Sequence, residues 1–386
     1  MSAKIMVVLQ KKSKLVATFI ELGVHKSLVK GITEMGIVTP TEIQEKSIPF
    51  LLSKGTDFIG QAQTGTGKTA AFGLPVLQQI DSRSSEIQAL VLCPTRELGQ
   101  QIAKQFFKYT KYTDKIFTEA VYGGEKIDRQ IAALSRKTHV VVATPGRLLD
   151  LLHRKAINLD SVKTIVLDEA DEMLSIGFKK ELDEILSKVA DSKNVWLFSA
   201  TMSDGIKKII KKYMRPNAHR IEISKGKIVN EKIRHHYVIS EGSMKLQTLL
   251  SFLKSQEGER GIIFCKTKVA AQTLEKQLKS RNVLVEAIHG DLNQKDRDKV
   301  MRAFHKERSN VLVATDISAR GIDVHNLAFV VHYQLPDQIE YYTHRSGRTG
   351  RGGKSGMSLC IIESGEFQKI KNIGTELNIH FKRIVD

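Results

Sequence analysis

The length and charge of the chain favour a two-domain protein with a polyanionic partner. Its 386 residues exceed the ~100 to 200 residues of one ordinary domain, and a hydrophobic content of 41% is ample for two cores. No stretch approaches the ~18 apolar residues of a membrane span, so the sequence predicts neither a span nor a membrane partner. The formal net charge of +18 divides evenly, +9 in residues 1–224 and +9 in residues 225–386, as expected if one nucleic-acid strand lies across both halves. A Lys-rich solvated surface is the alternative.

Along the first half, short apolar runs rich in Val and Ile alternate with longer segments of helical period. Runs that are apolar throughout are typical of strands buried on both faces of a parallel sheet. The predicted strands of this half are Asp57–Gly60, Ala89–Cys93, Thr118–Tyr122, Val140–Ala143, Thr164–Leu167, Val195–Phe198 and Arg220–Ile223.

A polar stretch without periodicity, residues 225–233, is predicted to be a linker, because the same alternation restarts after it. The sequence therefore predicts an α/β fold of two tandem domains, residues 1–224 and 234–386, each a parallel sheet covered by helices on both faces. The predicted strands of the second domain are Tyr237–Ile239, Gly261–Cys265, Val283–Ile288, Val311–Ala314, Phe329–Tyr333 and Met357–Ile362.

The cysteines and the N-terminus indicate the compartment. Cys93, Cys265 and Cys360 each lie inside an apolar run and form no C-x-x-C pair, so they are predicted to be buried thiols in a reducing compartment. The apolar run Ile5–Leu9 is too short for the core of a secretory signal. A cytoplasmic location is the simplest interpretation.

A phosphate-binding loop follows the first predicted strand. Its glycines would let backbone N–H groups approach the phosphates of ATP, Lys68 would contact the β and γ groups, and Thr69 would coordinate Mg²⁺. The loop departs from the general pattern because Ala62 stands where the first glycine is expected. Its sequence is Ala62-Gln63-Thr64-Gly65-Thr66-Gly67-Lys68-Thr69.

An acidic string about a hundred residues after the phosphate loop completes the predicted ATPase site. Asp168-Glu169-Ala170-Asp171 follows the apolar run Thr164–Leu167 and would deliver carboxylates to the carboxyl end of a parallel sheet. Asp168 is expected to hold the Mg²⁺, and Glu169 to orient or deprotonate the attacking water. Alone, the tetrad could be an acidic helix start, because carboxylates favour the positive end of a helix dipole. Its position downstream of a phosphate loop favours catalysis.

A string of cations in the second domain would supply the remaining positive charge. Guanidinium groups brought across a cleft to a transferring phosphoryl group are worth ~10³ to 10⁵ in turnover. We expect Arg348 and Arg351 to act in this way; a basic nucleic-acid-binding turn is the alternative. The string is His344-Arg345-Ser346-Gly347-Arg348-Thr349-Gly350-Arg351.

Taken in order over roughly residues 19–362, these strings resemble the core of a DEAD-box ATP-dependent RNA helicase, which implies two RecA-like domains. Phe19 and the segment Gly36–Gln44 resemble the adenine-reading segment of that family. The resemblance implies that Phe19 packs on the base, that the Gln44 amide pairs with the edge of the base, and that Asp323 contacts the ribose. Ser199-Ala200-Thr201 resembles the string that couples hydrolysis to strand separation, and His344 belongs to the catalytic arginine string.

Other strings resemble the family's RNA contacts, which go mainly to phosphates and 2′-hydroxyls and therefore position RNA without reading its sequence. The residues that the resemblance assigns to them are Thr95, Arg96, Gly124, Thr144, Arg147, Thr267, Arg297 and Thr315. The departures from the family pattern are Ile37 for an aromatic residue, Gly99 for alanine and Ser346 for an aliphatic residue. None removes a charge or a phosphate ligand, so we expect an active enzyme.

The resemblance also implies a mechanism. ATP and one RNA strand would favour the same closed arrangement of the two domains, and the helix that begins near Arg147 would bend the strand and separate a few base pairs. Protein partners would supply target specificity. Two other functions stay open: an ATP-dependent RNA clamp or scaffold with little strand separation, and a DNA translocase of related architecture.

Overall fold

Two parallel β-sheets, each of seven strands among the described residues, form the centre of the protein. The structure is a computed structural model that describes residues 17–53, 55–63, 65–189, 193–223, 232–319, 322, 327–350 and 355–384. The predicted fold class, α/β with two tandem parallel sheets, is confirmed. The predicted linker, residues 225–233, falls mostly outside the described residues, and its last residue already belongs to a strand.

The first sheet has the strand order β3-β4-β2-β5-β6-β1-β7. Its central strands are apolar at successive positions and fully buried, because helices cover both faces. A hydrophobic core lies on each side of the sheet. One core contains the aromatic residues Phe72 and Phe106, and the other contains the aliphatic residues Leu148 and Ile185. The strands are Phe58–Gln61 (β1), Ala89–Leu92 (β2), Thr118–Val121 (β3), Val140–Ala143 (β4), Thr164–Leu167 (β5), Asn194–Ser199 (β6) and His219–Glu222 (β7).

Two helices of the first domain, α4 and α9, begin at side chains that satisfy exposed backbone N–H groups. Thr95 and Ser203 accept hydrogen bonds from the backbone N–H groups of Leu98 and Ile206. The helices are Lys26–Thr33 (α1), Glu42–Ser53 (α2), Lys68–Gln78 (α3), Arg96–Tyr109 (α4), Ile127–Leu134 (α5), Pro145–His153 (α6), Ala170–Ile176 (α7), Lys179–Val189 (α8) and Asp204–Tyr213 (α9).

The second sheet repeats this arrangement in the order β10-β11-β9-β12-β13-β8-β14. Its strands are Ile233–Ile239 (β8), Gly261–Cys265 (β9), Val285–Ile288 (β10), Val311–Thr315 (β11), Phe329–His332 (β12), Gly356–Ile362 (β13) and Phe381–Arg383 (β14). The helices are Met244–Ser255 (α10), Lys268–Lys279 (α11), Gln294–His305 (α12), Asp316–Ala319 (α13), Ile339–Ser346 (α14) and Phe367–Leu377 (α15).

The strand order divides the carboxyl edge of the first sheet into two parts. The phosphate loop, the acidic tetrad and the Ser199–Thr201 string follow β1, β5 and β6, which are neighbours. The predicted RNA contacts of the first domain follow β2, β3 and β4, which form the other part. In α/β sheets ligands bind at the carboxyl ends of the strands, so the predicted ATP and RNA sites of this domain would lie side by side. Among the described residues, no helix is both long and apolar enough to cross a membrane.

Candidate active site between the two domains

The phosphate loop requires glycine at position 67. Gly65 and Gly67 have φ values of +80° and +90°, in the left-handed region that side chains disfavour. A Cβ atom on Gly67 would also lie 2.4 Å from Nε2 of Gln44. The backbone therefore turns sharply here and presents its N–H groups at the start of α3, where a helix dipole favours phosphate.

Gln44 ties the predicted adenine-reading segment to this loop. Its Oε1 accepts a hydrogen bond from the backbone N–H of Thr41 (2.9 Å), and its Nε2 donates to the carbonyl of Gly67 (2.9 Å). A second lone pair and a second N–H stay available for a base. Phe19, by contrast, is buried in the first core. It does not line the 340 Å³ cavity next to the phosphate loop (the nucleotide cavity), so its contact with the base stays a prediction.

We expect Gly67→Ala to weaken ATP binding by about tenfold or more. A positive φ costs a residue with a Cβ about 1–2 kcal/mol, and the methyl group would push Gln44 away from the loop. Titration with a fluorescent ATP analogue measures the affinity, and Gly365→Ala is the matched control, because a Cβ there meets nothing within 4 Å. Equal ATP affinity for the two variants would contradict the role given to Gly67.

The two carboxylates after β5 are held close together next to Lys68. Asp168 is buried, and burial together with the charge of Glu169 raises its pKa to about 7, although Lys68 and a hydrogen bond from the N–H of Glu169 oppose the shift. Glu169 has a φ of +50°, an unfavourable conformation of the kind found at functional sites. Lys68 is buried and donates to the carbonyl of Ala62 (2.9 Å).

This arrangement fits Mg²⁺. Two adjacent carboxylates, one of them buried, are only partly offset by Lys68, and a hard cation with oxygen ligands would supply further positive charge. Thr69 and Asp168 both line the same cavity. The described residues contain no cluster of three or more His, Cys, Asp or Glu side chains able to hold a metal ion. Mg²⁺ sites in such enzymes typically use few protein ligands together with phosphate oxygens and water.

Thr201 forms hydrogen bonds with the acidic tetrad, Asp168–Asp171, and does not line the nucleotide cavity. Its backbone N–H and its hydroxyl both donate to Oδ2 of Asp171, at 2.8 and 3.0 Å, and Ser199 donates to the carbonyl of Thr201. A displacement of the tetrad would therefore move the Ser199–Thr201 string. These contacts suit a coupling role, and they show Asp171 to be a structural partner that the sequence analysis did not single out.

The nucleotide cavity lies between the domains. It has a volume of 340 Å³ and is lined by the phosphate loop, by both carboxylates and, from the second domain, by Ile322 and Arg348. Nη1 of Arg348 donates to the carbonyl of Ile322 (3.2 Å), which holds the guanidinium group at the cavity wall. Gln101, Gln105 and Tyr109 of α4 also line the cavity; the sequence analysis missed them because α4 bears no recognisable nucleotide string.

Several close contacts join the described parts of the two domains around this cavity. His344 Nδ1 lies 2.5 Å from Oε1 of Glu172, and the hydroxyls of Ser175 and Tyr341 lie 2.7 Å apart. Near the predicted RNA contacts, Arg297 Nε donates to Oε1 of Glu97 (2.7 Å). His344, predicted to be catalytic, is thus placed at the domain interface and does not line the nucleotide cavity.

The predicted RNA contacts lie together on the neighbouring part of the cleft. Thr95, Thr144 and Thr267 are the N-cap residues of α4, α6 and α11, where backbone N–H groups favour phosphate. Arg96 and Arg147 are largely buried, and Arg147 already donates through both terminal nitrogens to other residues of the first domain. Their contacts with phosphate stay predictions.

Gly124 lies at the junction of the domains, because a Cβ on it would lie 3.7 Å from Oε1 of Gln294. Thr315 is held within the second domain, where its backbone N–H donates a hydrogen bond to Oγ of Ser318. Three predicted nucleotide residues, Thr64, Asp323 and Arg351, fall outside the described residues, so their roles stay predictions.

Family models and known relatives match almost the whole of this architecture. Residues 41–209 match the family described as DEAD/DEAH box helicase, and residues 244–353 match the helicase conserved C-terminal domain. A DEAD-box ATP-dependent RNA helicase CshA from Bacillus cereus is 41% identical over 356 residues, which are 92% of this chain and 67% of that protein. The chain belongs to the DEAD-box ATP-dependent RNA helicase family. The predicted resemblance is confirmed, and the DNA translocase alternative is set aside.

Solved structures of DEAD-box helicases share the arrangement of both domains. The structure of Saccharomyces cerevisiae Dbp5 bound to RNA and ADP BeF3 has a TM-score of 0.86 at 32% identity and covers 95% of each chain. Mss116p bound to ssRNA and AMP-PNP has a TM-score of 0.84 at 31% identity, covering 97% of this chain and 80% of that one. Dbp5 bound to Gle1 has a TM-score of 0.79 at 32% identity, covering 96% and 95%. This DEAD-box chain is accordingly an ATP-dependent helicase that acts on RNA.

Proposed function

We propose that this helicase holds ATP and a single RNA strand in one cleft shared by its two domains, and that hydrolysis reopens the cleft. The observation that supports this most directly is the cavity in which Arg348 of the second domain faces the phosphate loop and both carboxylates of the first. Residues 1–224 and 234–386 are the two proposed domains. Neither would have a complete site alone.

In this proposal, each residue of the nucleotide site acts on a particular part of ATP. The phosphate loop, including Gln63, Thr64 and Thr66, holds the phosphates, with Lys68 beside them. Thr69 and Asp168 would hold Mg²⁺, which neutralises charge that develops on the phosphates. Glu169 orients the attacking water and removes its proton, while Arg348 and Arg351 stabilise the charge on the transferring phosphoryl group.

RNA would be held largely without regard to its sequence. The N-caps of α4, α6 and α11 and the side chains of Arg96 and Arg147 would contact phosphates and 2′-hydroxyls. Helix α6, which begins at Pro145, would force the strand into a bend that a duplex cannot adopt. The result would be local separation of short duplexes, followed by release when the γ-phosphate contacts are lost.

We also propose the surroundings in which the helicase acts. Its three cysteines are buried and free, which suits a reducing compartment such as the cytoplasm. Because its RNA contacts would not read sequence, protein partners would have to supply target specificity; a related structure, Dbp5, has been solved with Gle1 bound.

Two assays on the same RNA distinguish strand separation from clamping. We expect the helicase to displace the labelled strand of a short RNA duplex with ATP, and to crosslink to single-stranded RNA with a non-hydrolysable analogue. Crosslinking that is strong in the presence of ATP but accompanied by no strand displacement would contradict the unwinding proposal and favour an RNA clamp.

The contact between His344 and Glu172 should make closure of the cleft sensitive to pH. Burial lowers the pKa of His344, but the hydrogen bond and charge of Glu172, with Asp171 and Glu169 nearby, more than offset this and raise it. A raised pKa in the closed state stabilises that state fully below the ordinary pKa of about 6.5. The stabilisation is lost as the pH rises through the raised value.

RNA affinity measured with a non-hydrolysable ATP analogue should therefore decline several-fold as the pH rises above about 6.5. His344→Gln, which keeps a hydrogen-bonding side chain but cannot be protonated in this range, should show a much smaller decline. An identical pH profile for the variant and the parent protein would refute the titration of this contact.

A further inference from the structure

An apolar and basic groove lies at the outer edge of the first domain, along the beginning of β3. This β3 groove has a volume of 770 Å³ and lies between the C-terminal ends of α4 and α5; it includes Phe107, Lys115, Phe117, Glu119 and Arg136. β3 runs from this groove toward Gly124, so the groove lies at the end of the sheet opposite the ATP and RNA strings. The proposed mechanism does not use it.

The apolar character of the β3 groove is unusual for this surface. The large apolar side chains described as exposed include two phenylalanines, Phe107 at 76% and Phe117 at 44%, and both lie in this groove. Phe117 is held in place by stacking on the buried ring of His139, with 5.7 Å between ring centroids. Exposed aromatic rings that line one groove are typical of binding surfaces.

The charge of the β3 groove favours an acidic ligand. Four cationic side chains and one carboxylate line it. Lys111 is paired with Glu34 (2.7 Å) and Lys137 donates to the carbonyl of Ser82 (2.8 Å), whereas Lys115 and Arg136 lie exposed at the surface. Positive charge around an apolar centre gives an acidic partner both attraction and orientation.

The edge of β3 favours a polypeptide over a nucleic acid. β3 pairs with β4 on one side and is the terminal strand of the sheet among the residues that the structure describes. The carbonyls of Phe117 and Val121 accept hydrogen bonds from residues that flank β4. By the alternation of a parallel ladder, the N–H and C=O groups of Thr118 and Ala120 point to the open edge. Only another polypeptide strand can continue that ladder.

We propose that the β3 groove binds an extended acidic peptide segment of a partner protein, which adds a strand to β3 and places apolar side chains against Phe107 and Phe117. Lys115 and Arg136 would then face its acidic residues. Strand addition supplies affinity through the backbone, and alternate side chains supply specificity. Because the β3 groove is remote from the ATP and RNA cleft, such a partner could recruit the helicase without blocking catalysis.

The test selects peptides from a phage-displayed random library on the purified full chain and measures the binding of the enriched peptides by fluorescence anisotropy. We expect the enriched peptides to be acidic, with apolar residues at alternate positions. Their binding should protect the backbone amides of β3 from hydrogen exchange. Phe107→Ser and Arg136→Glu should each lower the affinity by at least about tenfold, as expected for anchor residues of an interface.

Leu284→Ser and Arg308→Glu, changes of the same kind at exposed residues of the second domain, are the matched controls and should leave peptide binding unchanged. All four variants should retain RNA-stimulated ATP hydrolysis. The proposal is overturned if no peptide is enriched, or if the enriched peptides bind Phe107→Ser as tightly as they bind the parent protein. It is also overturned if single-stranded RNA binds the β3 groove and the same variants abolish that RNA binding.

Discussion

Replacing Arg348 by alanine should lower the kcat of RNA-stimulated ATP hydrolysis by about 10³, or ~4 kcal/mol of transition-state stabilisation. Arg348 lines the nucleotide cavity from the second domain, so its guanidinium group can reach the transferring phosphoryl group only when the cleft is closed. ATP binding to the open protein should change little, because the phosphate loop and Gln44 belong to the first domain. Steady-state ATPase assays at saturating RNA, with separate ATP titrations, measure the two effects.

Arg308→Ala is the matched control for this experiment, since Arg308 is an exposed arginine of the same domain. It should retain the parent rate. Thermal unfolding of both variants would establish that the domain is intact, because Arg348 also donates to the carbonyl of Ile322. A kcat for Arg348→Ala within a few-fold of the parent value would show that Arg348 does not take part in phosphoryl transfer.

Glu169→Gln should slow hydrolysis by about 10² to 10⁴ while ATP and RNA remain bound. The amide keeps the size of the side chain but cannot accept the proton of the attacking water. Removing one charge next to the buried Asp168 should also help that carboxylate to remain ionised and hold Mg²⁺, because Glu169 raises its pKa. Single-turnover hydrolysis and RNA dissociation rates measure the block and the trapped complex.

Glu86→Gln, a change of the same kind at an exposed glutamate of the first domain, should behave like the parent protein. If Glu169→Gln hydrolysed ATP at the parent rate, the proton acceptor would have to be another group. If it lost ATP binding as well as turnover, Glu169 would instead be needed to hold the nucleotide or its metal.

Sequence reasoning succeeded where a local pattern determines the structure. The strands Val140–Ala143, Thr164–Leu167 and Gly261–Cys265 were predicted with the correct bounds, because every residue in them is buried and nearly all are apolar. The strand Phe381–Arg383 was missed because this short edge strand is partly exposed and contains two basic residues, so it lacks a continuous apolar pattern. Burial in the folded domain, rather than β-propensity, therefore distinguishes the strands that were predicted from the one that was missed.

The strings that carry chemistry were visible in the sequence, but their partners were not. The phosphate loop and the acidic tetrad are contiguous, and their residue types point directly to phosphate and metal binding. The pairing of Glu97 with Arg297 joins positions 200 residues apart, and that of Glu172 with His344 depends equally on how two folded domains meet. No local spacing encodes such contacts, because they arise from domain packing.

If ATP and RNA stabilise one closed state, each ligand should raise the affinity of the protein for the other, and binding measurements with both ligands show whether it does. A non-hydrolysable ATP analogue should tighten RNA binding by about tenfold or more, and RNA should tighten binding of the analogue by the same factor, as linkage requires. Glu97→Ala should reduce both factors equally, since it removes the contact with Arg297 across the cleft. Affinities for RNA and nucleotide that do not depend on each other would contradict the shared closed state.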